Sequence, residues 1–111
     1  MGARRHVAAV AVTGSSMSPA LEPGDWVVVE SLTYRVRSPR PGDVVLAADP
    51  RGTGRELIKR VDTVHSGHAR LLGDAAAAST DSRVFGDVDA LSLRWLARLR
   101  YWPPGRIGLV R

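Results

Sequence analysis

The sequence predicts a mainly β fold, a compact domain of antiparallel or mixed β-sheet with little helix. Short apolar runs rich in valine recur along the chain, and glycine and proline separate them, which is the pattern of an all-β domain. No internal repeat or low-complexity linker divides the chain. Its 111 residues suit one domain over residues 1–111 with a modest core, and they leave no room for a second independent domain.

Five apolar runs have the length and composition of strands: residues 7–13, 26–30, 44–47, 57–64 and 69–72. Turns and loops are expected where glycine, proline and small polar residues cluster: residues 14–25, 38–42, 49–54, 65–68 and 73–87. Because only a short turn separates the last two runs, we expect them to pair.

The segment over residues 91–101 fits two periods. Its apolar residues alternate with serine and arginine, with Leu96 as the one exception, so a period of two fits better than a period of 3.6. Leu91, Trp95 and Leu99 are also spaced to line one face of a helix. We therefore expect mainly a strand, with a helical turn at its start and an end at residues 103–105.

Charge and cysteine content exclude several kinds of site. The net charge is +5, from fifteen arginines and one lysine against eleven acidic residues. It indicates either an acidic partner or a biased composition. No helix-turn-helix, zinc finger or dense basic block is visible, so we expect no nucleic-acid partner. The absence of cysteine excludes a disulfide framework, a thiolate zinc site and a cysteine nucleophile.

The N-terminus resembles the start of a signal peptide, because Arg4 and Arg5 precede the apolar residues 7–12. That run is shorter than a usual signal-peptide core and far shorter than the roughly 20 residues that cross a bilayer. We therefore expect a soluble, cytoplasmic protein without a membrane anchor.

The loop over residues 14–25 contains a serine in a position suited to chemistry. Ser16 follows a predicted strand directly and lies in the run Gly14-Ser15-Ser16-Met17-Ser18-Pro19. A turn stiffened by glycine and proline exposes such a hydroxyl. A plain serine-rich turn is the alternative for this motif taken alone.

Lys59, the only lysine, lies on the predicted strand over residues 57–64. A lysine amine is a poor base at its ordinary pKa of about 10.4, but burial disfavours the charged form and lowers that pKa. Arginine stays charged, and it occupies every other basic position. Since successive strand residues point to opposite faces, one of Lys59 and Arg60 should face inward. A lysine that points to solvent is the alternative.

A third motif lies in the loop over residues 73–87. Gly73 and Asp74 precede four alanines, after which come Ser79, Asp81 and Arg83. Taken alone, this motif predicts a capped loop with a local ion pair between Asp81 and Arg83, which contributes little stability when exposed.

The motifs together resemble the catalytic domain of type I signal peptidases, which are serine/lysine proteases with a mostly β fold. In order, they read S-M-x-P-x-L with P-G-D, then G-D-V-V, I-K-R-V, and G-D-x5-S-x-D-S-R. The resemblance covers about two thirds of the chain, from Gly14 to about Gly86. No single motif is specific, but the ordered set is.

This resemblance implies roles for the matching residues. Ser16 corresponds to the nucleophile, with its backbone N–H as one oxyanion donor, and Lys59 corresponds to the general base. The supporting residues of the family match the remaining motif positions. Met17 and Pro19 shape the serine turn, Ser79 orients the lysine, Asp81 and Arg83 form a structural pair, and Asp74 belongs to the loop motif.

The chain also departs from the family pattern. In some members a serine two residues before the nucleophile supplies the second oxyanion donor; here that position is Gly14, so the second donor is unassigned. Ala75 replaces the usual asparagine of the third motif. We expect no membrane-spanning N-terminus of the kind the family has, and residues 62–72 leave no room for the accessory β insertion.

Within this family, the third motif and the Arg100-Tyr101-Trp102-Pro103 run resemble the maturation proteases of nickel-type superoxide dismutase. The resemblance implies a precursor protein as substrate, whose N-terminal leader is removed. The mature dismutase uses its new terminal amine as a nickel ligand. The protease itself is expected to need no cofactor and no metal.

Other interpretations stay open. His65 and His68 are candidates for a metal site or for a Ser-His-Asp triad, although no carboxylate pattern accompanies them. A self-cleaving regulator domain would need a scissile segment and a DNA-binding domain before Ser16. A non-catalytic module would use the basic surface. Trp26, Trp95 and Trp102 belong either to the core or to the rim of a substrate groove, and the sequence leaves the oligomeric state undetermined.

Overall fold

Eight strands form one sheet in the computed structural model, which describes residues 5–111. The strands are β1 (Val7–Ala11), β2 (Trp26–Glu30), β3 (Val44–Ala48), β4 (Glu56–His65), β5 (His68–Leu72), β6 (Val88–Asp89), β7 (Trp95–Trp102) and β8 (Gly108–Leu109). One short α-helix, α1 (Ser82–Phe85), accompanies 3₁₀ turns at Thr33–Arg35, Ala76–Ala78, Ala90–Ser92 and Pro104–Arg106. The predicted mainly β fold with little helix is therefore confirmed.

The sheet is antiparallel at every pairing that the structure describes. Its order is β1-β2-β7-β3-β4-β5-β6, with β8 added to β7. Strand β3 has buried residues on both faces, because Val44 and Leu46 pack into one apolar cluster while Val45 packs into a second. Strand β3 therefore separates two small cores.

The strand predictions hold closely. Each of the five predicted runs contains a strand, and residues 90–102 form a 3₁₀ turn followed by β7, as the two overlapping periods predicted. Strands β4 and β5 pair across residues 65–68, where Ser66 (φ 50°) and Gly67 (φ 78°) occupy the two central positions of a tight turn. Positive φ at both positions fits a two-residue hairpin.

The prediction of an irregular loop over residues 73–87 is wrong at α1. The side chain of Asp81 accepts a hydrogen bond from the backbone N–H of Arg83 and caps the helix, and Gly86, with φ of 82°, ends it. Strands β6 and β8 were not predicted, because two residues are too few to show a period.

The tryptophans lie in different environments. Trp95 packs against the first apolar cluster. Trp26 and Trp102 face each other across β2 and β7 and stay partly exposed. Arg4 of the expected charged N-terminus lies outside the described residues, and no helix within residues 5–111 has the length and apolar content to cross a membrane.

Candidate functional site

Two buried side chains anchor the loop that contains Ser16. Met17 and Leu21 are 1% and 0% exposed and belong to the first apolar cluster. The backbone N–H of Leu21 donates to the carbonyl of Met17 at 2.9 Å, so the loop turns tightly after Ser16. Pro19, which follows a cis peptide bond, lies within this turn and is exposed. The burial of Met17 therefore fixes the adjacent Ser16 at the surface.

The other end of this loop is fixed by arginines from the C-terminal part of the chain. Asp25, only 2% exposed, accepts hydrogen bonds from Arg106 at 3.0 and 3.1 Å. Arg100 donates to the carbonyl of Ala20 at 2.7 Å. Burial alone would raise the pKa of Asp25, but the bonds from Arg106 and from the backbone of Glu22 outweigh it and hold that pKa low. Sequence reasoning did not find this pair, because 81 residues separate its members.

Lys59 faces inward from β4, as one of the two adjacent basic residues was expected to do. It is 3% exposed and pairs across the ladder with the fully buried Val45. Arg60 points to the other face and makes a bidentate ion pair with Asp74, at 2.8 Å for both bonds. This pair ties the Gly73-Asp74 motif to the strand that contains Lys59.

A chain of hydrogen bonds leads from Lys59 to a buried carboxylate. The Lys59 amine donates to Ser79 Oγ at 3.0 Å, and that hydroxyl donates to Asp81 Oδ2 at 2.6 Å. Burial lowers the pKa of Lys59, and the Arg83 cation lowers it as well, while the Asp81 carboxylate acts against them. Lys59 is therefore fixed in direction and shifted toward the neutral form that a base requires.

Asp81 is fully buried and compensated by several donors. It accepts from the backbone N–H of Gly73 at 2.8 Å and forms the predicted ion pair with Arg83, whose Nε lies 3.0 Å from Asp81 Oδ1. Burial alone would raise the pKa of Asp81, but the hydrogen bonds from Arg83, Ser79 and the backbone outweigh it and keep the pKa well below its ordinary value. Asp81 therefore stays a carboxylate and a fixed acceptor for Ser79.

Gly73 brings the third motif against the serine loop. A Cβ at this position would lie 2.7 Å from the carbonyl oxygen of Ser16 and 2.6 Å from Ser79 Cβ, closer than such atoms approach. That Ser16 carbonyl also accepts a hydrogen bond from the backbone N–H of Ala75 at 2.8 Å. The contact uses only the backbone of Ala75, so the replacement of asparagine at this position leaves it intact.

Ser16 and Lys59 line one cleft of about 270 Å³. Residues 10–14 form one wall and residues 55–59 form the other, and Thr80 lines the same space. No hydrogen bond joins the two side chains in the part of the chain that the structure describes. Such bonds are often long before substrate binds and shorten in the complex.

Each wall of the cleft presents an unpaired strand edge. Within residues 5–111, β1 pairs with β2 alone, and its second edge is free. Strand β4 pairs with β3 along its first half but with β5 only from Arg60 onward, so the stretch over residues 56–59 also keeps a free edge. Free backbone N–H and C=O groups therefore line both sides of the space beside Ser16.

The histidines lie away from this arrangement. His65 and His68 flank the turn between β4 and β5 and are exposed, and His68 Nδ1 lies 3.1 Å from the carbonyl oxygen of Ser66. Within residues 5–111, no group of three or more histidine and acidic side chains has an arrangement that would hold a metal ion. Neither histidine lines the cleft.

Comparison with known proteins gives a consistent result. Residues 3–64 match the family described as "Signal peptidase, peptidase S26". The mitochondrial ATP-independent inner membrane protease subunit 1a of Arabidopsis thaliana is 35% identical, over 90% of this chain and 73% of its own length. Mitochondrial inner membrane protease subunit 2 of Mus musculus is 34% identical, over 91% of this chain and 71% of its length. A probable signal peptidase I-2 of Synechocystis sp. is 26% identical, over 99% of this chain and 70% of its own length.

Proposed function

Since this chain belongs to the signal peptidase family, peptidase S26, we propose that it is a serine endopeptidase in which Ser16 is the nucleophile and Lys59 the general base. One observation supports this most directly. Ser16 and the chain's only lysine line the same cleft, and that lysine is buried with its amine hydrogen-bonded to Ser79. A buried, oriented lysine and a serine held at a turn are the two parts that a Ser/Lys protease needs.

The first half of the reaction forms an acyl-enzyme. Neutral Lys59 takes the proton from Ser16 Oγ as this oxygen attacks the scissile carbonyl carbon. The backbone N–H of Ser16 donates to the developing oxyanion. The bond to the leaving nitrogen then breaks, and the protonated Lys59 returns its proton to that amine. Ser79, held by Asp81, keeps the lysine amine in position during both transfers.

The substrate is expected to bind as an extended strand. The free edges of β1 and of residues 56–59 in β4 both border the cleft, so a peptide between them can pair with the backbone on either side. Such pairing places the scissile carbonyl by backbone contacts, independently of most side chains of the substrate.

We expect the activity to rise with pH, because only neutral Lys59 accepts a proton. The rise in kcat/KM should level off below the ordinary lysine pKa of about 10.4, since burial lowers the pKa of Lys59. Arg83→Gln removes a cation that also lowers this pKa, so the rising limb should move to higher pH. The measurement is the pH profile of kcat/KM on a leader peptide.

Arg94→Gln is the matched control, because Arg94 is exposed and lies outside the cleft. Its profile should coincide with that of the wild type. If the rising part of the pH profile stays in place or moves to lower pH in Arg83→Gln, the assignment of Lys59 as the titrating base is contradicted.

For the substrate, we propose the precursor of a nickel-type superoxide dismutase. Support comes from the third motif and from the Arg100-Tyr101-Trp102-Pro103 run, which resemble the maturation proteases of that enzyme. The names of the relatives favour a second candidate, a signal peptidase-like protease that acts on other precursors. Either substrate class uses the same cleft.

The two candidates differ in which precursor is cut. Purified protein is incubated with the dismutase precursor and, separately, with a precursor of equal length whose leader is exchanged for one from a mitochondrial inner membrane protease substrate. The intact mass of the dismutase precursor should fall by the mass of its leader, and the first residue of the mature protein should carry a free amine. Cutting of the exchanged leader alone would favour the second candidate, and no cutting of either would count against both.

A further inference from the structure

We propose that Arg100 positions the nucleophile Ser16 by holding the backbone of its loop, a role that rests on the proposed Ser/Lys mechanism. Arg100 begins the Arg100-Tyr101-Trp102-Pro103 run, to which the mechanism so far gives no role. Its side chain is turned inward, with 18% exposed, and it does not line the cleft. Arg100 therefore acts on the reaction through other residues and not by contact with a substrate in the cleft.

Two backbone hydrogen bonds close the base of the loop that contains Ser16. The N–H of Val12 donates to the carbonyl of Asp25 at 2.8 Å, and the N–H of Gly24 donates to the carbonyl of Val12 at 2.9 Å. Between these ends, residues 13–23 form no helix or strand. The path of the segment that holds Ser16 therefore depends on individual contacts to the rest of the fold.

Arg100 makes such a contact at Ala20. Its Nη1 atom donates to the Ala20 carbonyl oxygen at 2.7 Å, a short bond from a charged donor. The next residue, Leu21, donates its backbone N–H to the carbonyl of Met17 at 2.9 Å, and Met17 directly follows Ser16. A continuous path of bonds therefore leads from the Arg100 guanidinium to the nucleophile.

The sheet and a second arginine fix the position of Arg100. In β7, Arg100 lies opposite Val27 of β2 on one side and Gly108 of β8 on the other. Its Nε donates to the carbonyl of Arg106, and Arg106 makes the bidentate bond to the buried Asp25 at 3.0 and 3.1 Å. A side chain that is held by rigid elements in this way can hold the loop precisely.

Ser16 is thus supported from two sides, and Lys59 from only one of them. The Ser16 carbonyl accepts from the backbone N–H of Ala75 in the third motif at 2.8 Å, and the Lys59 amine is bonded to Ser79 of the same motif. The support from Arg100 reaches the serine loop alone. Loss of this support should therefore move the nucleophile and leave the base in place.

The test removes the bond from Arg100 to Ala20 and measures the reactivity of Ser16. Arg100→Met keeps the length of the side chain and loses its donors, while the buried Asp25 keeps Arg106 as its partner and so is not left unpaired. With a serine-directed acylating probe, we expect labelling to be about tenfold slower, a part of the about 100-fold that a displacement of about 1 Å can cost. The kcat on a leader peptide should fall similarly, while KM stays near the wild-type value.

The pH profile distinguishes a displaced nucleophile from a disturbed base. The pKa of Lys59 is shifted by burial and by its charged neighbours Asp81 and Arg83. Arg100→Met changes none of these, so the rising limb of kcat/KM should coincide with that of the wild type.

Arg98→Met is the matched control, because Arg98 lies on the same strand, is exposed and pairs with Glu30 at 3.6 Å. It removes the same charge, and its labelling and kcat should match the wild type. Arg100→Lys returns a charged donor and should recover most of the lost rate. All rates are compared at a temperature where circular dichroism shows that each variant is folded.

Labelling of folded Arg100→Met at the wild-type rate would overturn the inference, including the case of a raised KM, which would indicate a role in substrate binding. If Arg100→Met does not fold, the double variant Asp25→Asn with Arg106→Gln removes the supporting ion pair without leaving an unpaired charge. Slow labelling of this variant supports the inference, and wild-type labelling overturns it. A wild-type protein that the probe does not label at Ser16 would instead refute the protease proposal itself.

Discussion

Replacing Lys59 by methionine, or Ser16 by alanine, is expected to lower kcat/KM for the precursor by about 10⁴-fold or more, since either change removes one member of a unit that acts together. Lys59→Arg should be as inactive, because arginine stays charged at every working pH. The measurement is cleavage of a leader peptide, followed by mass, at a pH where the wild type is fully active. Continued cleavage by both Ser16→Ala and Lys59→Met would refute the dyad.

Loss of folding is a rival explanation for any inactive variant. The thermal stability of Lys59→Met is the control, because the burial of Lys59 predicts how that stability should change. Folding lowers the pKa of this amine, so between its folded pKa and about 10.4 the unfolded chain binds more protons. The free energy of unfolding therefore rises with pH across that window, and below it the buried charge works against folding. Methionine has similar length and no charge, so Lys59→Met should melt at the wild-type temperature or above it at pH 7.

The parts of the fold that the sequence predicts are those decided by local pattern. Strands such as β2 and β4 show β-branched runs bounded by turn residues, and these properties do not depend on distant partners. Alternation along β4 was also enough to expect Lys59 and Arg60 on opposite faces. The position of the third motif near the lysine, in contrast, was implied only by resemblance to a family.

Contacts between segments far apart in sequence were not predictable. Asp25 reads as an ordinary turn residue, yet its burial depends on Arg106 at the other end of the chain. The two-residue strands β6 and β8 form because a longer strand offers them an edge. The close approach of Gly73 to Ser16 likewise follows from tertiary packing, since a Gly-Asp pair before an alanine run gives no indication of what touches the glycine.

This close approach leads to the second large effect, expected for Gly73→Ala. The added Cβ would lie 2.7 Å from the Ser16 carbonyl oxygen and 2.6 Å from Ser79 Cβ, so at least one of them must move. Ser79 contacts the Lys59 amine, and the Ser16 carbonyl is held by Ala75, so either shift displaces a member of the proposed dyad. A displacement of about 1 Å can cost about 100-fold in rate. Overpacking should also lower the free energy of unfolding by about 1–3 kcal/mol.

Kinetics and thermal unfolding of the same variant separate this displacement from general destabilisation. Gly105→Ala is the matched control, because a Cβ there meets no atom within 4 Å, and it should leave both kcat/KM and Tm near the wild-type values. At a temperature where Gly73→Ala is fully folded, its reaction with a serine-directed acylating probe should still be about 100-fold slower. Labelling at the wild-type rate by folded Gly73→Ala would show that the loop has moved without disturbing Ser16 or Lys59, and the glycine would then serve packing alone.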